Sequence, residues 1–285
     1  SGSAANSSSN KNYEVKSIIQ NAIAAFLTYN IRLCKKYLSE FRSLSAYDKN
    51  GLSAKDLKFC EAYQHFLSQL TAETSDFDPL PSNNIYHLGE SHCLSYAHHP
   101  ICFNRRTFKV NPLITFGAKA YHFSTDGPNS FKAITKVNFD SIASGEYIFI
   151  SFGEIDCRAD EGIITAAQKY NRPPESLANE TAYNFVSWFS ELNRGCGHRL
   201  FFFNVPAPTY KNRYSYEINK KVASIVAAYN DSLCEALEFY GHNVIDVYKY
   251  TDDGSGFSNR LFHIDDVHLG PSFIGNLESI LADLH

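Results

Sequence analysis

The sequence predicts a three-layer α/β/α fold, a parallel sheet between two layers of helices, and two observations carry that prediction. Apolar runs at Asn84 to Leu88, Leu113 to Tyr121, Tyr147 to Phe152, Leu200 to Val205 and Val244 to Tyr248 are continuous rather than alternating, as expected of strands buried on both faces. Between them lie segments with helical spacing of apolar residues. One carries Ala178, Thr181, Ala182, Phe185, Phe189 and Leu192; another carries Ile218, Val222, Ile225, Val226, Tyr229, Leu233, Ala236, Leu237 and Tyr240. Strands alternating with helices give layered α/β folds with right-handed crossovers.

Ahead of the first run, residues 13–75 read as an accessory helical segment. Ile18, Ile19, Ala22, Ile23 and Phe26, then Leu33, Cys34, Tyr37, Leu38 and Phe41, recur at helical spacing. Asp48-Lys49-Asn50-Gly51 reads as a turn. Ser53-Ala54-Lys55-Asp56 reads as a capping box for a further helix with Leu57, Cys60, Tyr63, Phe66, Leu67 and Leu70. Fewer than three units are visible, so a repeat array is not expected. Residues 1–12, rich in Ser and Asn, read as a tag remnant or flexible linker; the chain contains no Met, which suggests a piece of a longer protein with neighbouring domains. The polar, proline-bearing stretch Glu73 to Asn83 marks the boundary of the main domain, residues 84–285.

With 26 Lys and Arg against 30 Asp and Glu, the net charge is −4, and no nucleic-acid partner is expected. Seven scattered cysteines without a C-x-x-C pair suggest reduced thiols and a cytoplasmic setting. No leader and no membrane span is visible.

Chemistry is expected where Gly89-Glu90-Ser91-His92 follows the Asn84 to Leu88 run, because ligands in open α/β sheets bind outside the carboxyl ends of the strands. Ser91 is a candidate nucleophile, and a helix-capping serine is the plainer alternative. A serine nucleophile needs a base held by an acid. In His263-Ile264-Asp265-Asp266-Val267-His268, Asp265 and His268 are three apart and can project to one side of a turn. His268 is the candidate base, with a capping or core histidine as its alternative. Ser151 to Arg158 gathers Gly153, Glu154, Asp156 and Arg158 at another strand end. They are candidates for substrate binding, against a structural Glu154–Arg158 or Asp156–Arg158 ion pair. A zinc set of His92, His98, His99 and Asp265 matches no defensible metal spacing, and no metal is expected. Cys93 and Cys157 lack a better-placed base than Ser91.

Taken in order, these blocks resemble the SGNH (GDSL-like) hydrolases and acyltransferases over roughly residues 84–285. Gly89-Glu90-Ser91 matches the nucleophile block with Glu for the usual Asp, and Asp265-Asp266-Val267-His268 matches the terminal D-x-x-H block. Gly153-Glu154-Ile155-Asp156 falls on the G-x-N-D block, with Ile155 in place of the Asn that donates to the oxyanion. The resemblance implies a flavodoxin-like sheet and a Ser91–His268–Asp265 triad, with Asp266 facing outward. It also implies an oxyanion hole from Ser91, Gly117 and Gly153. The expected chemistry is an acyl-Ser91 intermediate passed to a carbohydrate or polysaccharide hydroxyl (O-acetyltransferase) or to water (esterase). No cofactor is bound, and acetyl-CoA is a candidate acyl donor. A carbohydrate-binding domain that has lost catalysis is the alternative from another class.

Overall fold

The structure, a computed structural model, describes residues 3–74 and 80–284, and of residues 3–14 the backbone alone. It divides into two compact units, Ser1–Leu80 and Pro81–His285. Of the expected boundary stretch, residues 75–79 lie outside the described residues.

The first unit is helical: α1 (Ser3–Leu27), α2 (Ile31–Ser43), α3 (Ala46–Lys49) and α4 (Ala54–Ala72). Where the Ser- and Asn-rich opening reads as a linker, the backbone from Ser3 already belongs to α1. The apolar stripes meet as their spacing dictates, burying Ile19, Ile23 and Phe26 with Cys34, Leu38 and Phe41 and with Phe66, Leu67 and Leu70. Ser53 caps α4 by accepting the Asp56 N–H at 3.1 Å. The Asp56 carboxylate then accepts from Lys16 of α1 at 2.6 Å. The expected turn at Asp48 is preceded by the one-turn helix α3, because Ser45 and Asp48 form a reciprocal capping box.

In the second unit the order is β1 (Asn83–Gly89), β2 (Pro100–Phe103), β3 (Arg106–Ile114), α5 (Ala120–Ser124), α6 (Ser130–Asp140), β4 (Tyr147–Ser151), α7 (Ile163–Tyr170), α8 (Pro174–Leu192), β5 (Arg199–Phe203), α9 (Tyr216–Tyr240), β6 (Asn243–Ile245), α10 (Tyr248–Thr251) and α11 (Ile274–Asp283). The sheet runs β2-β3-β1-β4-β5-β6. All neighbours are parallel except the β2/β3 pair. Counting parallel strands alone, this is the 2-1-3-4-5 order of flavodoxin-like sheets.

Successive side chains on each strand enter opposite cores. Leu88, Ile148, Ile150, Leu200 and Phe202 pack with residues of α5 to α9, including Phe123, Phe139, Phe185 and Tyr229. Ile85, Phe149, Phe201, Phe203 and Ile245 pack on the other side with Phe273 and with Leu277 and Leu281 of α11. Strands buried on both faces are what the continuous apolar runs anticipate.

One expected strand is displaced. The run from Leu113 to Tyr121 is strand only to Ile114, and α5 begins at Ala120. β3 instead reaches back to Arg106 through an alternating segment in which Phe108, Val110 and Pro112 are buried while Thr107 is exposed. That alternation, together with the antiparallel edge strand β2, is not a continuous run, so the criterion for buried strands passes over it. The β2–β3 hairpin turns on Asn104 and Arg105, both with positive φ (48° and 59°), as a two-residue primed turn requires. No glycine announces it.

β1 and β4 meet with Gly89 opposite Ser151. A Cβ on Gly89 would lie 2.4 Å from Ser151 Oγ and 2.9 Å from Cys93 Cβ. Gly89→Ala is therefore expected to cost about 1–3 kcal/mol by overpacking, lowering the Tm by about 2–4 °C per kcal/mol. Gly275→Ala in α11, where a Cβ meets nothing within 4 Å, should leave the Tm unchanged or raise it. Equal melting temperatures for the two variants would refute the close approach of β1 and β4.

Candidate active site

In the strand order, connections from β1 leave in opposite directions, to β3 on one side and β4 on the other. The crevice at such a switch point is where α/β sheets bind ligands. β1 ends there at Gly89, and residues Ser91–Leu94 form a short 3₁₀ turn that presents Ser91. The other half of the site is the loop between His263 and Leu269, whose ends pair in a β-bridge, with the Ile264 N–H donating to the His268 carbonyl at 3.0 Å. Thr209, after β5, donates its hydroxyl to the Asp266 carbonyl at 2.7 Å and fastens that loop to the sheet.

Within this loop Asp265 Oδ1 accepts the N–H groups of Val267 (2.7 Å) and His268 (2.6 Å). Its Oδ2 lies 2.7 Å from His268 Nδ1. Burial works against the charge on Asp265, but the His268 hydrogen bond and the backbone donors hold its carboxyl below the usual range. An ionised Asp265 requires the proton on Nδ1, which leaves Nε2 facing Ser91. Ser91 Oγ stands 2.7 Å from Nε2. Asp266 points away: its side chain is 65% exposed, against 15% for Asp265.

Two residues beside Ser91 enter the site unannounced by the motif reading, which treated Glu90 as a substitution in the block and considered His92 only in a zinc set that it set aside. Glu90 is 1% exposed. Its Oε2 lies 2.7 Å from Ser91 Oγ, where it competes with His268 Nε2 for the one hydroxyl proton, and accepts the His92 N–H at 3.3 Å; its Oε1 bonds His92 Nδ1. His92 Nε2 reaches the Val267 carbonyl at 3.2 Å. Burial pushes the Glu90 carboxyl up, yet the charge and hydrogen bond of His92 outweigh it and hold the group down at about 2. His92 is raised to about 9: burial opposes its charge, and Glu90 overrides that. The two form a buried ion pair. The only sequence signal was polar residues on both sides of a buried strand end.

The sign of the linkage follows. The raised His92 value gives stability that is fully present below about pH 6.5 and lost as pH rises through about 9. The depressed Glu90 value gives stability present above about pH 4.5 and lost as pH falls towards 2. Urea unfolding followed across pH should show the alkaline loss in the wild type and a smaller one in His92→Gln. Identical slopes in the two would exclude the pair as the source.

Donor atoms of Glu90, His92 and His268 lie within 4.8 Å of one another. Both ring nitrogens of each histidine already have protein partners, and an imidazolium cannot ligate a cation. The donor set therefore does not suit a metal, and His98 and His99 are not in the cluster.

The segment after β4 separates the remaining candidates. Asp156 is 1% exposed, and its carboxylate accepts the N–H groups of Ala120 (2.8 Å) and Tyr121 (3.0 Å) at the start of α5. Burial raises its pKa to about 7 in spite of those donors. This removes Asp156 from the substrate contacts and makes it a helix anchor. Arg158 grips Glu154 through Nε (2.9 Å) and Nη2 (2.7 Å), with Glu161 at 3.2 Å from Nη1. Ile155 is buried and offers no side-chain donor. Gly153 has φ 126°, and a Cβ there would strike the Tyr229 ring at 2.7 Å. Gly117 lies on the exposed turn after β3 with φ 65°. Both glycines therefore stand at the same edge of the sheet as Ser91.

Removing Arg158 would leave the half-buried Glu154 carboxylate without its partner. Arg158→Ala is expected to cost about 1–3 kcal/mol, less than a fully buried pair, and Glu154→Gln in the same chain should recover part of it. Strictly additive losses in that double-mutant cycle would refute the coupling.

No protein-family model and no curated protein sequence matches the chain. Solved structures do. A structure described as a platelet activating factor from Streptococcus pneumoniae superposes with a TM-score of 0.50 at 14% identity, over 81% of this chain and 99% of the other. A GDSL-like lipase from Bacteroides thetaiotaomicron gives 0.45 at 14% identity, over 71% and 87%. A protein assigned as an SGNH hydrolase from Slackia heliotrinireducens gives 0.43 at 15%, over 70% and 97%. Identities this low speak to architecture alone, and the architecture shared with the Streptococcus pneumoniae structure is a three-layer α/β fold.

Proposed function

We propose that the chain is a serine acyl-ester enzyme in which Ser91, His268 and Asp265 act as a triad and an acyl-Ser91 intermediate is passed to water or to a carbohydrate hydroxyl. One observation carries the reading: the serial contacts Ser91 Oγ to His268 Nε2 and His268 Nδ1 to Asp265 Oδ2, each 2.7 Å. As Ser91 Oγ attacks the acyl carbonyl, its proton passes to Nε2. Asp265 keeps Nδ1–H and its own charge, stabilising the imidazolium. Collapse of the tetrahedral intermediate expels the alkoxide or thiolate, which takes the proton from Nε2. Water or a sugar hydroxyl then attacks the Ser91 ester with His268 as base, and Oγ recovers its proton.

The oxyanion is held by backbone N–H groups, that of Ser91 with those of Gly117 and Gly153. Ile155 supplies none, and loss of one such donor is worth about 10²–10³ in rate, so the enzyme is slow unless another group of the loops substitutes. A carbohydrate substrate is supported by the half-exposed rings of Phe116 and Tyr121 after β3 and Tyr210 after β5 (45%, 51% and 39%). Phe116 and Tyr210 lie on loops after β3 and β5 and Tyr121 in the short helix α5, and aromatic faces offer sugar C–H surfaces a flat apolar platform. Glu154, partly exposed, is a carboxylate that can accept from a sugar hydroxyl.

Fluorophosphonate labelling followed by intact mass should give one adduct per chain in the wild type and none in Ser91→Ala. Asp265→Asn should slow labelling by about 10⁴, as expected for a triad acid, while Asp266→Asn stays within a few-fold. An unlabelled wild type that also turns over neither aryl acetate nor acetyl-CoA would favour a carbohydrate-binding domain. Acetylated sugar exceeding free acetate at high acceptor would assign transfer, and free acetate alone would assign hydrolysis.

A further inference from the structure

We propose that His92 is a positioning residue of this site: with Glu90 it closes a ring of hydrogen bonds that holds the Ser91 turn at bonding distance from the Asp265–His268 turn. The inference rests on the acyl-ester reading above. The ring of contacts runs from Ser91 Oγ to Glu90 Oε2 (2.7 Å), through the carboxylate to His92 Nδ1, from His92 Nε2 to the Val267 carbonyl (3.2 Å), across one peptide to His268, and from Nε2 back to Ser91 Oγ (2.7 Å), the single Ser91 proton serving Oε2 or Nε2 in turn. Its two halves lie 175 residues and more apart in sequence. The triad contact itself joins them at the reacting atoms, where it must break and reform in each turnover. The His92 bridge does not take part in the chemistry and can persist throughout.

Only one state of the imidazole closes the ring. Glu90 Oε1 and the Val267 oxygen are both acceptors, so both nitrogens of His92 must carry protons. The groups facing the ring are Glu90 on its own turn, Glu154 after β4, His87 on β1, and His263 and His268 on the final loop. Burial opposes the imidazolium, and the two carboxylates favour it. The balance leaves His92 charged up to about pH 9. Above that, one of its two donors is lost and the bridge opens on one side. The His92 and His268 rings touch at 4.7 Å between centroids, tilted by 41°, so a shift of His92 is felt by the base as well as by the nucleophile. A misplacement of about 1 Å in such geometry is enough for a rate loss of about 10²-fold.

The experiment compares fluorophosphonate inactivation rates, at saturating and subsaturating probe and from pH 6 to 10, in the wild type, His92→Phe and His92→Gln. Circular dichroism melts establish that each variant is folded. The expected result is a loss of about 10²-fold in the first-order rate for His92→Phe with little change in probe affinity. His92→Gln, which can still donate to Val267, should recover part of it. The wild-type rate should fall as pH rises through about 9, and that limb should be missing from His92→Gln. If His92→Phe does not fold, His92→Gln against the wild type carries the test through the alkaline limb. A His92→Gln variant with wild-type rate and an unchanged alkaline limb would overturn the role of His92 while leaving the acyl-ester reading intact. A wild type that never labels would overturn that reading, and the role with it.

Discussion

A carboxylate taken out of water at the end of the first strand governs this site. Glu90 is fully enclosed, and an ion in that position costs several kcal/mol unless its charge and its oxygens are matched. The match comes from its own turn: the His92 ring, the His92 N–H and the Ser91 hydroxyl. To offer all three, the chain must curl at once into the 3₁₀ turn that begins at Ser91. The orientation of the nucleophile is thus a consequence of neutralising its neighbour. The imidazole that balances Glu90 has a second proton to place, and it places it on the Val267 carbonyl, inside the loop that carries the base.

The sheet supplies the space for that turn. β1 and β4 come close enough at Gly89 and Ser151 that no side chain fits between them, and just below that pair His87 bonds the Ser151 hydroxyl at 2.9 Å. Burial lowers the pKa of His87 to about 3, so it is neutral there, stacked on Phe203 at 5.1 Å. The layer beneath the site is therefore uncharged and aromatic, and the charged groups are confined to the carboxyl edge. Glu90 with His92 and Glu154 with Arg158 stand on that edge as pairs of opposite sign, and Asp265 is held there by the His268 ring and two backbone N–H groups.

How much of this was legible depended on whether the pattern reports burial or only identity. Continuous apolar runs report burial directly, and they located β1, β4, β5 and the short β6, while helical spacing located α8 and α9. Spacing reports geometry within one turn, which is why Asp265 and His268 could be paired from sequence. A carboxylate beside a serine carries no such information: nothing in Gly89-Glu90-Ser91-His92 says that Glu90 is enclosed while Asp266 is in water. Asp156 fails for the same reason. It shares the strand end with Glu154 and Arg158, but its carboxylate turns back to the start of α5, a contact between segments 35 residues apart in sequence. The β2–β3 hairpin was hidden by its turn residues, since Asn104 and Arg105 adopt positive φ without glycine. The helical backbone of residues 3–12 was hidden by residues of modest helix propensity.

The choice between the adjacent acids shows what distinguishes a functional carboxylate from a neighbour of the same type. Asp265 Oδ1 closes the turn on two backbone N–H groups, which leaves Oδ2 aimed at the imidazole of the residue whose N–H it has just bound. The same oxygens therefore fix both the loop and the ring. They also keep the carboxylate ionised without water, since three donors converge on it. Asp266 contributes its backbone carbonyl to Thr209 and leaves its side chain in solvent beside Arg260. A shift of one residue along the turn would exchange these environments, placing the acid in water and the exposed partner against the base. The D-x-x-H spacing thus lets one carboxylate cap the turn and orient the histidine together.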